Sequence, residues 1–174
     1  MILRTIGLLL IVLLGVARVT AEPVTRREVL AAIAVLEKDV TSSDALKAAE
    51  TVTRFGKESE TVLITIGTET MPWVQSDPPE SEVPVRVMLM AAYFAGDIKS
   101  QLQKRQPVDD PYSGWLATIT AYRQIRKKQP EMVIPEVEEL IKKEQTGTLK
   151  QEAEDLRQQQ EEEHRKEQRP TNMV

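Results

Sequence analysis

Over residues 82–104 the apolar side chains recur at helical spacing and also spread round most of the circumference. Val87, Met90, Ala91, Phe94, Ile98 and Leu102 mark one face, and Met88, Leu89, Ala92 and Ala95 make the flank apolar as well. A helix of this kind is stable only when neighbours cover it on more than one side. It therefore has to be the centre of a packed helical domain. Pro84 agrees with a helix start there, because a proline in the first turn gives up an amide that had no partner.

The flanking segments supply the neighbours. Thr25-Arg26-Arg27-Glu28 has the form of a capping box, and Val29, Ile33, Leu36 and Val40 then lay one apolar stripe along a helix. A second helix is expected from Ser42 or Ser43 to Phe55, with Leu46, Ala49, Val52 and Phe55 buried and Gly56 as a left-handed cap. Residues 58–74 are ambiguous, since Thr61-Val62-Leu63-Ile64-Thr65-Ile66 has the β-branched character of a strand. A helix is the expectation, because no second strand candidate exists and a lone strand leaves its amides and carbonyls unpaired.

Asp109 or Asp110 can cap a helix that begins at Pro111 and carries Tyr112, Trp115, Leu116, Ile119, Tyr122 and Ile125. Pro130 and Pro135 frame a break before a shorter amphipathic helix with Val137, Leu140 and Ile141, which ends near Gly147. Leu149, Ala153 and Leu156 give one last weak stripe, after which the chain to Arg169 has no aliphatic residue. A projecting, fraying helix and a disordered end from Pro170 are expected there. The fold class is all-α, an irregular bundle or short stack of hairpins of about six or seven helices.

Met1–Arg4 is a short basic start, Ile6–Val16 an almost unbroken aliphatic run, and Val19-Thr20-Ala21 ends in small or permitted residues. This is the layout of a secretory signal peptide cut after Ala21. The apolar run, about eleven residues, is short of the roughly twenty that an α-helix needs to span a bilayer. The expected organisation is a signal peptide over 1–21, a helical domain over 22–147 and a charged tail over 148–174. The mature chain is expected in the periplasm or extracellular space, without an integral membrane span.

Of 23 basic and 27 acidic side chains, the signal removes Arg4 and Arg18, leaving 21 against 27. That balance opposes a nucleic-acid partner, which calls for a basic surface. Cysteine is absent and the one histidine, His164, sits in a run of charges. Thiolate chemistry, histidine-based metal centres and serine–histidine triads are thereby nearly excluded, and no cofactor or metal is expected.

Three stretches are distinctive. In Ala91-Ala92-Tyr93-Phe94-Ala95-Gly96-Asp97 the small residues invite a tight helix crossing, while Tyr93 and Asp97, one turn apart, could act as donor and acid. These small positions resemble those of tetratricopeptide-type helical repeats over about ten residues, without a second copy at a spacing of about thirty-four. The resemblance implies hairpin-style packing and no activity. Asp109-Asp110-Pro111-Tyr112-Ser113-Gly114-Trp115 sets carboxylates beside aromatic rings, a combination that suits a sugar or a cation as well as capping and core packing. Trp73, between prolines in a connection, could begin a peptide groove. Tyr93, Tyr112, Trp73 and Trp115 are therefore the candidate binding residues. The expected function is that of an exported, non-enzymatic interaction or structural protein whose partner is another envelope or secreted protein. The alternative is a hydrolase or lyase on an extracellular polymer, with Asp97 and Asp110 as general acid and base.

Overall fold

A computed structural model describes residues 22–74 and 78–167, apart from the side chains at 163, 164 and 167. Among them lie six α-helices and no strand: α1 Arg26–Lys38, α2 Ala45–Glu58, α3 Val83–Lys104, α4 Pro111–Lys128, α5 Pro135–Thr146 and α6 Leu149–Glu167. A 3-10 turn covers Pro72–Val74. The expected signal peptide, His164 and the chain end from Pro170 lie outside these described residues and side chains.

The capping box forms as written. Thr25 Oγ1 accepts from the Glu28 amide, and the Glu28 carboxylate accepts from the Thr25 amide at 2.8 Å. Val29, Ala32, Ile33 and Leu36 are the buried face of α1. α2 differs from expectation in two ways. It runs through Gly56 to Glu58, and its buried face is Ala45, Ala48, Ala49, Val52 and Phe55, leaving Leu46 62% exposed. Small alanines at the interface let α1 and α2 approach closely. Gly56 is needed for space and not for a left-handed turn: a Cβ there would lie 2.8 Å from Ile64 Cδ1.

α3 is central, packed against α1, α2, α4 and the 3-10 turn. Ala91 to Ala95, Ile98 and Leu102 are all buried, although Val87 is exposed because Val85 and Leu89 turn inward at that end. α3 and α4 make the most extensive contact in the molecule. Two glycines set its closeness. A Cβ on Gly96 would lie 2.3 Å from the Ser113 carbonyl oxygen, and one on Gly114 would lie 2.5 Å from the Tyr93 ring.

Residues 58–74 are the main correction. α2 ends at Glu58, and the chain then runs without regular secondary structure through 62–66 before turning at Gly67. The expectation of a helix rested on the lack of a partner strand, and side chains supply the missing partners. Gln101 Oε1 accepts from Leu63 N at 2.9 Å while Gln101 Nε2 donates to Leu63 O at 2.6 Å. Asp109 Oδ2 accepts from Thr65 N at 3.2 Å, and the Thr70 hydroxyl donates to the carbonyls of Thr65 and Gly67.

Long-range ties close the two ends onto this centre. Arg26 donates to the Leu102 carbonyl at 2.9 Å, and Gln124 of α4 bonds both Val40 N and Glu37 O. α5 ends near Gly147 as expected, and Gly147 adopts the left-handed conformation that closes it. Leu149, Ala153 and Leu156 are buried, so the first half of α6 belongs to the bundle, packed on α4 and α5.

Candidate functional site

The polar residues of α3 and of the α3–α4 connection converge on one cluster. Asp97 and Gln101, one turn apart on α3, are 0% and 1% exposed. Gln101 Nε2 donates to Asp97 Oδ1 at 2.7 Å, and the Asp110 amide donates to the same oxygen at 2.9 Å. Asp109 is 5% exposed and meets Asp97 carboxyl to carboxyl. Among the described residues no hydrogen-bond donor reaches Asp97 Oδ2 or Asp109 Oδ1. Burial first, and then the neighbouring carboxyl, holds Asp97 well above the ordinary carboxylate range; burial raises Asp109 as well.

Asp110 has the opposite environment. Its Oδ1 accepts from Ser113 N, capping α4, and its Oδ2 accepts from Lys104 Nζ at 2.6 Å and from Ser100 Oγ. Partial burial works against its charge, but the Lys104, Ser100 and Ser113 bonds outweigh it and hold the carboxyl at about 2. The two acids singled out by sequence are therefore adjacent without sharing an open site. Asp97 is sealed in the core, and Asp110 is committed to a helix start and a lysine.

The aromatic candidates divide. Tyr93, Trp73 and Trp115 are core residues. Trp73 and Tyr93 lie with ring centroids 6.0 Å apart, and Trp115 Nε1 donates to the Thr70 carbonyl at 2.7 Å. The Tyr93 hydroxyl and Trp73 Nε1 are buried without hydrogen-bond partners. Burial, then the field of Asp109, Asp97 and Asp110, raises the Tyr93 phenol above its ordinary value. Trp73 does not open a peptide groove; its carbonyl accepts from Arg86, which also pairs with Glu82 and Glu136. Tyr112 alone of the four lines a cleft, a space of about 420 Å³ between the start of α4 and α6.

That cleft carries both signs of charge. Lys104, Asp109 and Asp110 stand on the α3–α4 side, and Lys150, Glu154 and Arg157 on α6. Among the described residues no three acidic or histidine side chains are grouped so as to hold a metal ion. Sequence reasoning named Asp109 only beside Asp110, as a cap or ligand carboxylate, and missed Gln101, Thr65 and Thr70 as its partners in the cluster. The available signal was the spacing of four between Asp97 and Gln101 on an otherwise apolar helix face, where polar groups require partners. No family model, curated protein or solved structure matches this chain.

Proposed function

We propose that the protein is an exported, non-enzymatic helical interaction protein, and that it binds a segment of another envelope or secreted protein in the cleft between α4 and α6. The observation that carries this reading is the commitment of Asp97 and Asp110 to the fold, beside a cleft whose walls are charged and whose accessible ring is Tyr112. A lining of both signs suits a polar polypeptide better than a uniformly charged polymer, and an aromatic ring supplies contact area at low entropic cost. The exposed outer part of α6 extends the same surface. Export itself is supported by the Met1–Ala21 pattern, and no helix of the described residues is long and apolar enough to cross a membrane.

Affinity capture of the tagged protein from its native envelope fraction tests this reading, with N-terminal sequencing to establish cleavage before Glu22. A specific partner held by the wild type and lost from Tyr112→Ala with Lys150→Glu and Arg157→Glu is the expected result. Retention of that partner by the triple variant moves the contact elsewhere. The hydrolase or lyase alternative requires Asp97 to reach solvent; a polymer-cleaving activity abolished by Asp110→Asn in a folded protein would replace the binding reading.

A further inference from the structure

We propose that Asp97 and Asp109 share a single proton and that this proton fastens segment 62–70 to α3, so that the segment opens more readily as pH rises. The geometry leaves little choice about the proton. Asp97 Oδ1 already accepts from Gln101 and from the Asp110 amide, and Asp109 Oδ2 accepts from Thr65 N. The two remaining oxygens are buried, belong to carboxyl groups in contact, and have no other donor among the described residues. Two acceptors meet favourably only when one of them carries a hydrogen, and two adjacent buried carboxylates cannot both ionise without a cation.

Among the described residues no cation pairs with either acid. From α3, Tyr93 faces the pair as a neutral phenol, and Lys104 pairs with Asp110. From the α3–α4 connection, Asp110 is ionised and satisfied by Lys104, Ser100 and Ser113. Segment 62–70 brings main-chain groups and the Thr70 hydroxyl, and none of its ionisable side chains is bonded to either acid. From α6, Lys150 and Arg157 stand across the cleft and form no ion pair with Asp109.

The same pair holds the segment. Thr65 N rests on Asp109, and both main-chain groups of Leu63 rest on Gln101, which Asp97 orients. When the segment lifts, water reaches both acids, each takes its ordinary pKa, and the shared proton is released. Because the closed state binds one proton more than the open state, its advantage is complete below the ordinary carboxylate pKa. It is lost progressively as pH rises through neutrality towards the raised value of the pair.

Hydrogen exchange of the Leu63 and Thr65 amides in the intact protein, followed between about pH 5 and pH 8 without denaturant, reads this directly. The protection factor is expected to fall about tenfold per pH unit, the slope for one proton released on opening. In Asp97→Asn the side-chain amide can donate permanently to Asp109 Oδ1 while Oδ1 keeps both of its donors, so protection should be independent of pH. An unchanged slope in that variant, or a flat wild type, overturns the proposal. Infrared spectroscopy of the wild type needs no variant: one protonated carboxylic acid absorbing at neutral pH is expected, and complete ionisation would equally overturn it.

Discussion

Gly96 and Gly114 are the residues on which the α3–α4 interface depends, because each stands where a single methyl group would meet something that cannot move aside. For Gly96→Ala the obstacle is backbone, the Ser113 carbonyl at 2.3 Å. Alanine is the better helix former by about 1 kcal/mol, yet overpacking costs about 1–3 kcal/mol or more, so the variant should lose stability in urea unfolding. Gly56→Ala meets the flexible end of Ile64 and should be the milder of the two substitutions. Asp110 offers a test of a different kind. Removing the cap in Asp110→Ala should cost about 1 kcal/mol. Its depressed pKa means that this contribution is complete above the ordinary carboxylate value and disappears as pH falls towards about 2. Acid titration of stability should therefore lose part of its low-pH limb in Asp110→Asn.

At the level of elements, α6 is two things in one helix. Leu149, Ala153 and Leu156 are buried, whereas Glu161 and Glu162 are exposed. A chain stopped after Gly147 should lose several kcal/mol, since each buried leucine alone is worth about 2–5 kcal/mol on truncation to alanine. A chain stopped after Gln158 should unfold within about 0.5 kcal/mol of full length, so thermal denaturation of the two truncations separates core from surface. The weak stripe that ends at Leu156 was legible in the sequence, as were the capping box at Thr25, the proline-led start of α4 and the end of α5 near Gly147. Periodicity and caps are local signals, and these elements obey them. Residues 62–66 were not legible, because their partners are side chains from 38 and 44 positions away. Only tertiary structure brings Gln101 and Asp109 to them. Ala49, Val52 and Phe55 were placed correctly on the buried face of α2, and Leu46 was misplaced there for a related reason: alanine marks a close helix contact as well as leucine marks a wide one. Of the candidate site, Asp97 and Asp110 were visible as carboxylates, but the opposite directions in which their pKa values move follow from burial and from Lys104, neither of which has a sequence signature.

For the whole molecule, α3 and α4 form the middle, with the α1–α2 hairpin on one side and α5–α6 packed against α4. The α1–α2 hairpin does not complete its hydrogen bonding within itself. Val40 N and Glu37 O find their partner only in Gln124, more than eighty residues later. A fragment ending at residue 110 should accordingly be digested by protease throughout, α1 and α2 included, while a chain that includes all of α4 gains resistance. The consequence concerns time. A chain delivered N-terminus first, from a ribosome or through a membrane pore, carries its opening helices unsecured until most of its length has emerged, because closing such distant contacts comes late in folding.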